Sequence, residues 1–183
     1  VPDEKGQPLV QLNPEANGAA WFVDSVRMVD GPDAELAALG GLDNKRVAVV
    51  DKPFAAEVGD HIAAVADSTD TIAMTEYRVN LQRYEYTASS PRVAVFSEIY
   101  YPGWQAKIDG QPVDIARADY ILRVMNVPAG QHTIEMWFDP QSLHVTESIA
   151  YASLALLLIG VMILIWFSKK KLITPKKKEA ENS

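Results

Sequence analysis

Residues 96–110 read FSEIYYPGWQAKIDG. An apolar, strand-like run (FSEIYY) meets a Pro-Gly break, resumes as WQAKI, and stops at Asp109-Gly110, the strongest short hairpin signal in the chain. The stretch therefore reads as strand, corner, strand and hairpin turn, which is β grammar. Its aromatics, Tyr100, Tyr101 and Trp104, admit two readings. They can seal the end of a β-sandwich, with Trp104 packing inward, or form a ligand-facing patch that stacks on a sugar ring or lies against lipid headgroups. The sealing role is the more economical.

The same pattern extends outward in both directions. AWFVDSVRMV (20–29), RVAVVD (46–51), TIAMTEYRVN (71–80), RYEYTAS (83–89), PRVAVFSE (91–98), PVDIA (112–116), YILRVMNV (120–127) and QHTIEMWFD (131–139) read as strands separated by Pro, Gly, Asn or Asp. In the last, Ile134, Met136 and Phe138 alternate with Glu135 and Asp139 as on a half-buried strand, and Trp137 interrupts the polar face. Val127-Pro128-Ala129-Gly130 is a second turn, so residues 91–139 form either a meander in one sheet or a corner between sheets. Asp30 as cap, Pro32 at the first helical position and Gly40 or Gly41 at the exit predict one short helix over 32–39. The expected fold is mainly β, an antiparallel sandwich or jelly roll over residues 20–146, after an irregular, linker-like entry at 1–19.

After the strands comes IAYASLALLLIGVMILIWF (149–167), without a charge. As a helix it spans roughly 28 Å, close to the hydrocarbon thickness of a bilayer. A transmembrane helix over 147–168 is expected, with Tyr151 and Trp166 near its ends and a basic tail, SKKKLITPKKK, behind it. The positive-inside rule puts the tail (169–183) in the cytoplasm and the β domain outside. No signal peptide is visible at VPDEKGQPLV, so the chain is expected to be a mature product or the C-terminal piece of a larger membrane protein.

Without the six tail lysines and the two tail glutamates, 11 basic residues stand against 22 acidic ones, a net charge of −11. A surface that acidic repels phosphate backbones, and nucleic acid is not an expected partner. There is no cysteine, and His61, His132 and His144 are too far apart to stand in a metal-ligand spacing. No phosphate loop or nucleophile elbow occurs, and no cofactor is implied. Arg117 and Arg123 could clamp an anion, but pairing with nearby carboxylates is the simpler reading. No catalytic residue is assigned.

The run FSEIYYPGWQAKIDGQPVDIARADYILRVMNVPAGQHTIEMWFDP (96–140), followed by one apolar helix and a basic tail, resembles the C-terminal end of the YfhO family of bacterial membrane proteins; the likeness reaches back to residues 20–51. The resemblance implies a large polytopic parent, similar in architecture to GT-C glycosyltransferases that use lipid-linked sugars at the outer face of the membrane. The catalytic acid of such enzymes lies in loops of the N-terminal membrane part, so none transfers here. The expected role is an accessory module that binds a glycan or positions an acceptor. Expected partners are the lipid bilayer, the upstream transmembrane portion of the same protein, and an envelope glycan or lipid-linked sugar. The alternatives are a structural domain docking onto its own membrane part or an envelope partner, and an anchored carbohydrate-active enzyme.

Overall fold

The computed structural model describes residues 13, 16–58 and 67–173. It contains two compact units, one ending at Asp139 and one starting at Pro140.

The first unit is a β-sandwich. Its four-stranded sheet has the order β1-β6-β10-β9, from β1 (Ala20–Val23), β6 (Arg92–Ile99), β10 (Leu122–Val127) and β9 (Ala116–Ala118). Its five-stranded sheet has the order β4-β5-β11-β7-β8, from β4 (Thr71–Arg78), β5 (Leu81–Ala88), β11 (Gly130–Phe138), β7 (Trp104–Ile108) and β8 (Gln111–Val113). Pairing within both sheets is antiparallel. Between them lie Tyr84, Tyr86, Phe96, Met125, Ile134 and Met136, with the Tyr84 and Phe96 rings edge to face at 4.9 Å.

The four-stranded sheet is covered on its other face as well. Val93, Val95 and Val124 pack there against Ala48 and Val50 of β3 (Val47–Asp51) and Val58 of α2 (Ala55–Val58). This is why β6 reads as an unbroken buried run from Arg92 to Phe96 rather than alternating.

Several expectations change. The single strand over 20–29 is two, β1 and β2 (Ser25–Val29), in different sheets. Asp24 makes the break: its carboxylate pairs with Arg46 at 2.7 Å and Arg92 at 3.4 Å, while its N–H donates to the Arg46 carbonyl. β2 pairs with β3 in parallel, as a small separate sheet beside the antiparallel sandwich. The strand expected at 112–116 is also two, because the chain passes from β8 in one sheet to β9 in the other. The Val127–Gly130 turn likewise joins strands of different sheets, so residues 91–139 form a corner and not a meander. Helix α1 (Pro32–Ala38) forms as expected, but Gly31 is its N-cap; Gly31 donates to Asp51 Oδ1 at 2.8 Å, and Asp30 pairs with Lys52. The 3-10 turn Lys52–Phe54 and α2 were not anticipated.

Asp109 (φ 48°) and Gly110 (φ 82°) close the β7–β8 hairpin with successive left-handed residues, as the Asp-Gly pair predicts.

In the second unit α3 (Gln141–Ile173) is apolar all round its middle, and its side chains are exposed from Gln141 to Lys170. Over Gln141–Lys170 it is long and apolar enough to cross a membrane. The hydroxyls of Thr146, Ser148 and Ser153 donate to carbonyls one turn back, which satisfies them without water.

Candidate functional site

The sequence candidates fall mainly into two groups. In the first, the Arg117 Nη2 donates to Glu35 Oε2 at 2.8 Å and lies 3.7 Å from Asp51 Oδ2. Its guanidinium faces the rings of Phe54 (5.3 Å) and Tyr120 (5.9 Å), and Tyr100 stands edge-on to Phe54 at 5.4 Å. Glu35 is fully buried and also accepts from the Tyr120 N–H at 2.9 Å. Asp119 Oδ1 accepts from the Val49 N–H at 2.8 Å, while its buried Oδ2 has no hydrogen-bond partner among the described residues. Two carboxylates, Glu35 and Asp51, thus face one guanidinium, a field that does not invite a further anion.

Asp119 carries a testable consequence. Burial is the main cause lifting its carboxyl from 3.8 to about 6, the Val49 N–H bond opposes this, and Glu35 adds to it. The folded state therefore holds the proton more tightly than the unfolded state, and the domain loses stability as pH rises from about 4 to about 6. Asp119→Asn retains an acceptor for Val49 and a residue type that tolerates φ 50°. It should stabilise the domain by roughly 1–2 kcal/mol at pH 8 and by almost nothing near pH 4. Denaturant midpoints at both pH values check this; equal effects at the two pH values would show that the carboxyl is not perturbed.

In the second group, Arg123 is buried between the sheets, its Cζ 3.7 Å from the centre of the Trp104 ring. It donates from Nη1 to Gln82 Oε1 at 2.9 Å and from Nε to the Ile99 carbonyl at 3.0 Å. Among the described residues no carboxylate is in ion-pair contact with it; Glu98 acts at longer range, and burial lowers its pKa. Trp104 also meets Phe138 at 5.6 Å, and Tyr101, largely exposed, lies 6.1 Å from Phe138. Arg123 is thus held by a ring and neutral acceptors, where carboxylate pairing was the expectation.

The histidines divide similarly. His61 lies outside the described residues, and His144 is on α3. His132 pairs through Nδ1 with Asp109 Oδ2 at 2.5 Å, and its Nε2 lies 3.0 Å from the Ala129 carbonyl. Asp109 Oδ1 accepts from the Thr133 N–H, so one carboxylate latches the Asp-Gly turn to the first residues of β11. That N–H, then His132, holds the Asp109 carboxyl below its usual range, and Asp109 holds the imidazole above its own. The pair borders a shallow polar depression with Glu85, Gln131 and Thr133. Among the described residues no group of His, Asp and Glu is arranged to hold a metal ion.

The outward face of the five-stranded sheet carries the group that sequence reasoning noted without using. Trp137 projects there beside Gln105 and Leu81, its register partners on β7 and β5. The Lys107 ammonium stands 4.9 Å from its ring centre. One residue pair further along, Arg83 bridges Glu135 at 2.7 Å and Glu76 at 2.6 Å. The result is a half-buried indole on the outward face of the sheet, bordered by hydrogen-bonding side chains.

The model of the bacterial membrane protein YfhO family matches residues 43–150, more than half of the chain. The chain belongs to the YfhO family. The matched segment contains β3 through β11, the Trp104 group, Arg117 and Asp51 but not their neighbour Glu35, and the start of α3. This YfhO-family chain is accordingly a membrane protein with a β-rich domain. Residues 20–42, including β1, β2 and α1, lie outside the match. No curated protein and no solved structure matches the chain.

Proposed function

We propose that the β domain is an extracytoplasmic accessory module of a YfhO-family membrane protein, which holds a glycan acceptor for transfer from a lipid-linked sugar and has no catalytic centre of its own. The observation that carries this reading is Trp137: a large aromatic on the solvent face of a sheet, ringed by Gln105, Lys107, Glu135 and Arg83, has the makings of a sugar-stacking platform. The internal engagement of Arg117 and Arg123 supports a neutral ligand over an anionic one. The lysine tail supports the orientation, with the tail cytoplasmic and the domain outside.

Titration of the full chain in nanodiscs with neutral envelope oligosaccharides tests the reading. Saturable binding is expected, weakened about tenfold or more in Trp137→Ala, the loss of a stacking contact worth roughly 1.4 kcal/mol. Absence of saturable binding by the unaltered chain would defeat the glycan role. An impermeant maleimide should label a cysteine introduced at Ala129 in intact cells, and not one at Ser183; the reverse would overturn the orientation. A second reading, a structural domain that docks onto the membrane part of the same protein, is favoured by the Lys107 ammonium over the Trp137 ring. The same titration separates the two.

A further inference from the structure

The large apolar side chains left exposed in the β domain are not scattered. Among the described residues, all but Leu36 (Tyr77, Val79, Ile99, Tyr101, Tyr120 and Ile121) lie at one end of the sandwich. The register shows why they converge. Ile99 pairs with Leu122, the Tyr100 N–H donates to the Ile121 carbonyl, Trp104 pairs with Phe138, and the Phe138 N–H donates to the Asn80 carbonyl of the β4–β5 turn. Val79 is 92% exposed, Ile99 65% and Tyr101 61%. A patch of this kind on a soluble surface marks something that covers it.

The turn carrying Tyr120 and Ile121 is also held in an unfavourable shape. Asp119 and Tyr120 have φ of 50° and 72°, and a bulky residue rarely adopts the latter. Two bonds maintain it, a buried one from the Val49 N–H to Asp119 and a part-buried one from the Tyr120 N–H to Glu35. Backbone strain maintained by buried partners, with apolar side chains turned outward, is characteristic of a working surface.

We propose that this end of the domain rests on the lipid headgroup layer, an inference that depends on α3 crossing the bilayer. Chain continuity selects lipid as the occupant. β11 ends at this end with Phe138, the Asp139 N–H donates to the Gly103 carbonyl there, and α3 begins at Gln141. At about 3.5 Å per residue, the two steps from Asp139 to Gln141 put the Cα atoms of these two residues within roughly 7 Å of each other. The polar lead of the helix, 141–148, rises about 12 Å when upright and less when tilted, close to the depth of the headgroup region. Tyrosines beside aliphatic side chains suit that interface, where the rings reach apolar depth and the hydroxyls stay wet.

The natural lack of cysteine makes the test direct. Full chains carrying Val79→Cys, Tyr101→Cys, Ala129→Cys or Leu157→Cys are labelled with a small fluorophore and placed in nanodiscs of phosphatidylethanolamine and phosphatidylglycerol. A lipid spin-labelled at the headgroup should quench the probes at Val79 and Tyr101 about twofold or more beyond that at Ala129, which sits in the turn at the other end of the sandwich. A lipid spin-labelled in its acyl chain should quench Leu157. Quenching at Leu157 with none in excess at Val79 and Tyr101 overturns the proposal while the membrane span stands. No quenching at Leu157 removes the span, and the proposal with it. Shielding of Val79 and Tyr101 from aqueous iodide without lipid quenching assigns the patch to a protein partner and also overturns it.

Discussion

Replacing Trp104 by alanine is expected to lower the stability of the β domain by about 3 kcal/mol, the lower part of the range for emptying a large aromatic site, because the indole is half-buried rather than fully enclosed. The loss has two sources. One is the packing of the ring against Phe138 at 5.6 Å. The other is Arg123, whose guanidinium lies 3.7 Å from the ring centre inside the sandwich and, among the described residues, has neutral partners alone in hydrogen-bond contact. Without the indole this buried cation keeps its desolvation cost and loses its π face. Trp104→Phe should recover about half of the loss, since a smaller ring still offers a face to the cation. Equilibrium unfolding of the full chain in detergent, read by near-ultraviolet circular dichroism, measures both variants. A loss under about 1 kcal/mol for the alanine variant would place Trp104 outside the core and restore it as a ligand platform.

Glu35→Ala should cost a similar amount, about 3 kcal/mol, because it leaves the partly buried Arg117 with the more distant Asp51 carboxylate and leaves the Tyr120 N–H without its acceptor. Helix α1 has seven residues and no side-chain cap, so its own hydrogen bonds hold it weakly. The Glu35 contacts tie it to β9 and to the strained Asp119–Tyr120 turn. Arg117→Ala should be comparably harmful, since it leaves the fully buried Glu35 without its cation. The double variant should then be less stable than either single variant by well under the sum, with a coupling of about 2 kcal/mol. Strict additivity would show that the pair acts independently and that the loss comes from packing alone. Faster amide exchange in α1 and at Tyr120, with the inter-sheet core unchanged, would locate the damage.

The elements that were legible in the sequence are those governed by short-range chemistry. The Asp109-Gly110 hairpin, the alternation along β11, Pro32 at the start of α1 and the apolar run inside α3 each depend on neighbours within a few residues. The candidate site was only half legible. Tyr100, Tyr101, Trp104, Arg117 and Arg123 were all named, yet nothing in PDAELAA marks Glu35 as a fully buried carboxylate, because an acidic residue on a short helix normally faces water. Asp119 likewise reads as an ordinary turn residue until Val49 and Glu35 surround it.

The sequence by itself determined that this chain is a strand-rich domain followed by a helix able to span a bilayer, since both follow from periodicity and from the absence of charge over 149–167. The tertiary structure alone decided how the pieces meet. It divided residues 20–29 at Asp24, made β2 and β3 parallel, passed the chain between sheets at 114–115, and gathered the exposed apolar residues at one end. The reason is physical. A strand's local pattern states which residues alternate but not which strand supplies its hydrogen bonds, and a buried charge must be met by groups far along the chain, 70 residues away for Val49 and Asp119 and 82 for Glu35 and Arg117.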